Sequence, residues 1–301
     1  MPVMTTQPAP VNDSIDGVLN YAKDGAPVYR RWVAAGVEID TFEPEPRHVQ
    51  VRNGRLVRDR LTLDCVGFTL LDHQSAVQDF QDEGEVARIY AAEVDKVVRQ
   101  LTGAQRTAAT GWTLRTSDDQ QRERMKAAEY RGGKGGVQPP GAMVHVDQAP
   151  QRAPATARAL YDKTYPNGPA YSRFISFSFW RPYSQPPHDW PLALCDAVSV
   201  SRTDGHLNPI IFGNSVPDEA ARIAPITHEE RLPAGTVFSF NPDHRWYFFP
   251  NMTRDEVALL KFYDSDQRLA WRVPHTAFHD QTTSGTQMRS SVEYRITAYF
   301  E

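Results

Sequence analysis

Between residues 86 and 101 apolar side chains recur at helical spacing: Val86, Ile89, Tyr90, Val94, Val97, Val98 and Leu101. That period predicts an amphipathic helix over "EVARIYAAEVDKVVRQLTG", with Gly103 as its stop. Beyond residue 140 the pattern changes. "SRFISFSFW", "PLALCDAVSV", "GTVFSF", "RWYFFP", "EVALLKFYDSD", "LAWRVP" and "SSVEYRITAYF" are short apolar or alternating runs between Pro, Gly, Asp and Asn, the pattern of strands separated by turns. Nearer the start, "HVQVRNGRLV" predicts a hairpin about Asn53-Gly54. The fold class that follows is mainly β with flanking helices, a double-stranded β-helix (jelly roll, cupin-like) with an early helical and hairpin layer outside it. Residues 1–15 are polar and Pro-rich and predict a flexible N-terminus. No repeat or composition shift divides residues 16–301, which are expected to form one domain.

The middle of the chain breaks this rhythm. "SDDQQRERMKAAEYRGGKGGVQPPGA" joins a charge run to clustered glycines and Pro-Pro. Its Gly-Gly-Lys-Gly-Gly lacks the spacing and the hydroxyl of a phosphate-binding loop. A connecting loop and a flap over a site beginning near residue 145 both fit it. Tyr130, Arg131 and Lys134 would then either face solvent or close over a substrate.

Composition narrows the function classes. Hydrophobic residues at 40% and aromatics at 11% supply a core, and a net charge of −4 leaves no basic excess for a nucleic-acid partner. The cysteines, Cys65 and Cys195, lie far apart and outside any CxxC pattern, which fits a reducing compartment. The start, "MPVMTTQPAPVNDS", has neither the basic region nor the apolar core of a secretory signal. No run reaches membrane-spanning length. A cytoplasmic protein is expected, without a membrane partner, and a homodimer is left open.

The candidate chemistry begins at "PPGAMVHVDQAP". On a strand, residues two apart share a face, so His145 and Asp147 would present an imidazole and a carboxylate side by side. Two histidines and one carboxylate with open positions opposite is the ligand set of mononuclear non-haem iron(II) oxygenases. A His–Asp hydrogen bond at a strand edge is the structural alternative. The rival pair, His228 and Glu230 in "PITHEERLPAG", sits among charges and prolines and predicts an exposed turn.

A third ligand should come from a later strand: His188, His206, His228, His244, His275 and His279 are available. His275 is favoured, because it follows an apolar run and precedes Thr-Ala-Phe. Fourteen residues on, "MRSSVEYR" places Arg289, Ser291, Glu293 and Arg295 on one face, opposite Val292, Tyr294, Ile296 and Ala298. An Arg-x-Ser beside a metal site offers a forked cation and a hydroxyl to a carboxylate, such as the far end of 2-oxoglutarate. A surface salt bridge is the structural alternative for Arg289. Trp112, Phe179, Trp246 and Phe248 serve equally as core or as pocket wall.

With these residues assembled, the chain resembles a family of iron(II)/2-oxoglutarate-dependent oxygenases that groups CmcJ-like and NvfI-like proteins with AsaB-like hydroxylase/desaturases and gibberellin desaturase-like proteins. The likeness runs from about residue 60 through "CVGFTLLDHQSAVQDFQD", "VHVD", "FWRPYSQPPHDWPLALCDAVSV", "WYFFPNMTRDEVALLKFYDSD", "PHTAFHD" and "RSSVEYR". It implies iron on His145, Asp147 and His275, which are then the catalytic set. It implies the co-substrate carboxylate on Arg289 and Ser291, with Arg181 of "WRP" as a further site residue or a structural one. The implied cofactors are Fe(II), 2-oxoglutarate as co-substrate and O2. The implied activity is C–H oxidation (hydroxylation, desaturation or a related rearrangement) of a small-molecule natural product. Gln148 stands where relatives carry an aromatic residue, and "WTLRTSD" around Arg115 also departs, so the scaffold oxidised stays open. Two alternatives stand beside this: a cupin-like metal isomerase or hydrolase that uses no keto-acid, and a non-catalytic partner subunit of an oxygenase.

Overall fold

Two β-sheets lie face to face in the computed structural model, which describes residues 13–34, 37–127 and 136–301. The larger sheet runs in the order Ser14–Ala22, Pro44–Asn53, Trp246–Phe248, Leu192–Cys195, His275–Ala277, His145–Val146, Ala234–Phe238, Gly205–Phe212, Arg31–Ala34 and Val37–Asp40. The smaller runs Phe68–Asp72, Glu256–Asp264, Arg173–Pro182, Ser290–Phe300, Arg106–Thr116 and Val137–Gln138. Neighbours in each sheet are mostly distant in sequence, the crossed connectivity of a jelly roll.

Alternation along the smaller sheet separates its two faces. Phe177, Phe179, Leu259, Val292, Tyr294 and Ile296 point outward into an apolar cluster with Val94 and Val98 of the helix Ala91–Thr102. That helix follows a π-turn over Val86–Tyr90 and ends on Gly103 at φ 75°, so the early helical layer and its stop are as the apolar period predicts. The opposite face holds Trp180, Ala258 and Leu260, which join Leu194, Trp246, Phe248 and Phe262 in the core between the sheets. Phe179, Trp246 and Phe248 are therefore core rather than pocket wall. Trp112 stacks on Tyr294 of the outward face.

Several expectations change. Asn53-Gly54 makes no hairpin: Pro44–Asn53 pairs with Ser14–Ala22 and runs parallel to Trp246–Phe248. Asn53 instead caps a 3-10 turn over Gly54–Arg60, its Oδ1 accepting from the Arg55 amide at 3.0 Å. The same short amide that favours a tight turn also favours a helix start. Of the stretch 1–15 expected to be flexible, Ser14 and Ile15 belong to a strand; residues 1–12 lie outside the described residues, as do Tyr130, Arg131 and Lys134. The charge run before them forms a helix, Asp119–Ala127, with the Gln121 amide donating to Asp118 and an Arg122–Asp119 ion pair on its surface. The run "LAWRVP" does not form a strand. Its amides bond irregularly to Asp64 and Lys261, and the paired strand starts at His275. Replacing Asn53 with Ala removes the cap and should cost about 1 kcal/mol, read as a lower denaturant midpoint with an unchanged slope.

Candidate metal centre

His145 and His275 face each other across two antiparallel strands, in direct register. Their rings lie 4.4 Å apart, and Nε2 of His145 is 3.2 Å from Oδ1 of Asp147. One ligand atom from each of His145, Asp147 and His275 falls within 4.8 Å of the others. Adjacent corners of an octahedron with metal bonds of ~2.1 Å are about 3 Å apart, so small rotations would bring all three onto one ion. Val146, between the first two, is fully buried on the other face.

The backbone selects the tautomers. Nδ1 of His145 lies 2.6 Å from the Met143 carbonyl and Nδ1 of His275 lies 3.0 Å from the Val273 carbonyl. Each carbonyl can only accept, so each Nδ1 carries a proton and Nε2 is the ring nitrogen available to a metal. Phe262 stacks on His275 at 5.6 Å and fixes the ring plane. Burial, then the neighbouring His145, push the His275 pKa down to about 3. For Asp147, burial works against the charge, yet Arg295 and the two histidines outweigh it and hold the carboxyl well below its usual range. At neutral pH His275 is unprotonated and Asp147 is ionised.

Beside this cluster is a narrow cavity of about 20 Å³, lined by Arg115, Trp180, Leu192, Leu260, Arg289 and Glu293 together with the two histidines. Arg289 is fully buried. Its Nη1 donates to the Trp190 carbonyl at 2.7 Å and its guanidinium lies over Trp180. Among the described residues no carboxylate stands within ion-pair distance, and Nε has no partner. Burial, then Arg115, lower its pKa to about 9. A buried cation in that condition wants an anion. Ser291, two residues along the same face, also has a buried and unpartnered hydroxyl. Arg289 Nε and Ser291 Oγ are the orphaned groups that a bound carboxylate would satisfy, so the residues present fit a keto-diacid as co-substrate. The three candidate ligands, two nitrogens and a carboxylate, fit a divalent iron.

Arg181 does not belong to this set. It is one residue beyond Trp180, on the outward face. There it is buried against Tyr90, to which Nε donates at 3.0 Å, against His73 and against the Arg254 carbonyl. It anchors the helical layer, because a one-residue step on a strand reverses the face. His228 and Glu230 pair with each other on the exposed surface, as the charge pattern predicts. Arg115 lines the cavity, with Nε 3.5 Å from Glu293 and Nη1 donating to the Pro139 carbonyl. Trp180, Leu192 and Leu260 are the wall residues missed from sequence. Nothing separates them from ordinary core positions until the strands are paired.

A jelly roll with two histidines and a carboxylate converging on its inner face is the scaffold of mononuclear metal oxidoreductases. A family model described as an oxidoreductase/YMDC permease-like domain matches residues 19–299. The chain belongs to that family. It is similar to the hydroxylase/desaturase CTB9 of Cercospora beticola, with 31% identity over 85% of this chain and 78% of the relative. The Fe(II)/2-oxoglutarate-dependent dioxygenase nvfI of Aspergillus novofumigatus is 26% identical over 90% of both chains. The solved structure of the iron and alpha-ketoglutarate-dependent endoperoxidase NvfI superposes with a TM-score of 0.75 at 22% identity, covering 96% of this chain and 98% of that one, which supports the fold. No described helix is long and apolar enough to cross a membrane.

The depressed His275 pKa gives a test of the metal-free protein. The folded state resists a proton that the unfolded chain accepts near pH 6.5. Stability is therefore full above that pH and is lost as pH falls toward 3, at about 1.4 kcal/mol per unit for one such group. His73, His188, His206 and His244 are lowered by burial too, so the informative quantity is a difference. Between pH 6.5 and 4, chelator-treated His275→Leu should show a shallower fall in urea-unfolding free energy than the unaltered chain. Equal slopes would mean that His275 accepts a proton in place.

Proposed function

We infer that the chain is an iron(II)/2-oxoglutarate-dependent oxygenase that oxidises a C–H bond of a small-molecule natural product. The relatives are named as hydroxylase/desaturases, dioxygenases and an endoperoxidase; hydroxylation, desaturation or a related oxidation is accordingly the class of outcome. The observation that carries the reading is the juxtaposition of His145, Asp147 and His275 with a buried, carboxylate-free Arg289 and an unpartnered Ser291.

His145, Asp147 and His275 would hold Fe(II), and Arg289 with Ser291 would hold the far carboxylate of 2-oxoglutarate. When bound, iron supplies O2 activation coupled to oxidative decarboxylation of the keto-acid. The chain's own work is positional. The Met143 and Val273 carbonyls keep Nε2 of each histidine free to coordinate. Trp180, Leu192, Leu260 and Ala277 give the cavity apolar walls that restrict water. Arg289 is forked and already fixed by the Trp190 carbonyl, so little ordering is needed to bind a carboxylate.

Residues 16–301 would serve as one catalytic domain acting on a small molecule, without nucleic acid or a membrane as partner; a homodimer is compatible with this. The unpaired Cys65 and Cys195 and the absence of a basic surplus support a cytoplasmic setting. A cupin-like isomerase or hydrolase would have no use for a buried unpaired arginine beside the metal. A non-catalytic subunit would have no need of three converging ligands.

Anaerobic addition of Fe(II) and then 2-oxoglutarate should produce the weak visible charge-transfer band of a chelated keto-acid, absent in His145→Ala and Asp147→Ala. A band that persists in both variants would defeat the assignment. Arg289→Ala should keep iron and weaken 2-oxoglutarate by about 100-fold, the scale of losing one partner of a buried charge pair. Arg181→Leu, if folded, should bind the keto-acid as the unaltered chain does. An unchanged affinity in Arg289→Ala would remove Arg289 from the co-substrate site, and an unaltered chain that binds iron but no keto-acid would favour metal chemistry that uses none.

A further inference from the structure

One contact at the centre is unaccounted for by iron binding or by the co-substrate clamp. Nη2 of Arg295 lies 2.6 Å from Oδ2 of Asp147, the carboxylate oxygen turned away from His145. The contact is an ion pair rather than an aligned hydrogen bond, since Oδ2 has no hydrogen-bond partner of good geometry. Arg295 is itself held: its Nε donates to Oε1 of Glu293 at 2.7 Å, and Oε2 of Glu293 lies 3.5 Å from Arg115. Glu293 is buried. A cation on the centre's carboxylate is thus fixed by a second carboxylate, which a third charged residue lining the cavity also engages.

The sheet bends to present this arginine. On Ser290–Phe300, Arg295 pairs with Gly111, while the next residue, Ile296, pairs with Ala109, so Thr110 is an extra residue on the neighbouring strand. Gly111 has φ 118°, a conformation that side-chain-bearing residues rarely adopt. A bulge of this kind increases local twist and re-aims the side chain opposite it. One strand end therefore carries the co-substrate groups Arg289 and Ser291 and, one and two further steps along the same face, Glu293 and Arg295.

We propose that Arg295 is a positioning residue that restricts Asp147 to one coordinating oxygen. A carboxylate with both oxygens free can grip a hard divalent ion with one or with both. Two-point binding would take a coordination position that the keto-acid needs. Occupied by Arg295, Oδ2 is withdrawn from the metal, and Oδ1, 3.2 Å from Nε2 of His145, is the atom left to coordinate. Arg295 thereby acts on co-substrate affinity without touching the co-substrate. Glu293 keeps the guanidinium in place and shields Arg115 from it.

This rests on the iron and 2-oxoglutarate reading of the same cluster, and the experiment separates the two. Full-length protein is titrated anaerobically with Fe(II), and the iron-loaded form with 2-oxoglutarate. The chains compared are the unaltered one, Arg295→Gln, Arg295→Lys and Glu293→Gln. The expected result is an iron Kd in Arg295→Gln equal to or tighter than in the unaltered chain, because a competing cation has gone. Its 2-oxoglutarate Kd should rise by about tenfold or more, within the range of losing a group that orients a metal ligand. Arg295→Lys, which restores the charge, should recover most of that affinity, and Glu293→Gln should fall between. An unchanged 2-oxoglutarate Kd in Arg295→Gln overturns the proposal. Parallel loss of iron and keto-acid binding does so too, since that is a merely structural effect. Failure of the unaltered chain to bind iron would overturn the underlying reading with it.

Discussion

The direct cross-strand pairing of His145 with His275 is the constraint on which the rest of this molecule depends. Side chains facing each other in antiparallel strands are held a few ångströms apart by the backbone ladder, and no adjustment of rotamers substitutes for it. Asp147 lies in the bend just past the two-residue strand His145–Val146, and from there its carboxylate returns to within 3.2 Å of His145. A slip of one residue in this register would send His275 to the other face. Hydrogen bonds on either side protect the register: His275–Ala277 is flanked by Leu192–Cys195, and His145–Val146 by Ala234–Phe238.

Around that pairing the charges form a graded arrangement. Asp147 is ionised because its surroundings, Arg295 foremost, outweigh its burial, and Glu293 stands between Arg295 and Arg115. Of the arginines beside the centre, Arg115 and Arg295 each stand by Glu293, whereas Arg289 has no carboxylate within ion-pair distance among the described residues. The imbalance is local and buried, where it costs most, and it lies on the cavity side of the centre. An uncompensated buried cation does not help folding, so the unpartnered Arg289 points to a ligand.

The outward face of the smaller sheet does different work. Arg181, Tyr90 and His73 tie the helical layer to the sheet through hydrogen bonds and ring contacts, and Val94 and Val98 pack onto Phe177 and Phe179. This layer does not reach the centre. It backs the strands whose inner face carries Trp180, Arg289 and Glu293.

Legibility in the sequence followed the range of the interactions. The helix ending at Gly103, the strand Ser290–Phe300 and the shared face of Arg289, Ser291, Glu293 and Arg295 rest on periodicity within one element, and the residues alone determined them. His145 and Asp147 were readable from their spacing, although the strand that carries His145 ends at Val146 and Asp147 sits in the bend after it. Asn53-Gly54 was misread because a turn and a helix cap use the same local chemistry, and only the partner strand decides between them. Arg181 was left between a site role and a structural one, which its single step of alternation from Trp180 decides, and the pocket wall was invisible because a core Leu and a cavity Leu have the same neighbours in sequence. Which histidine lies opposite His145, and which arginine meets Asp147, were decided by tertiary structure. Those are distances between residues about 130 to 150 positions apart, and strand pairing, not local propensity, sets them.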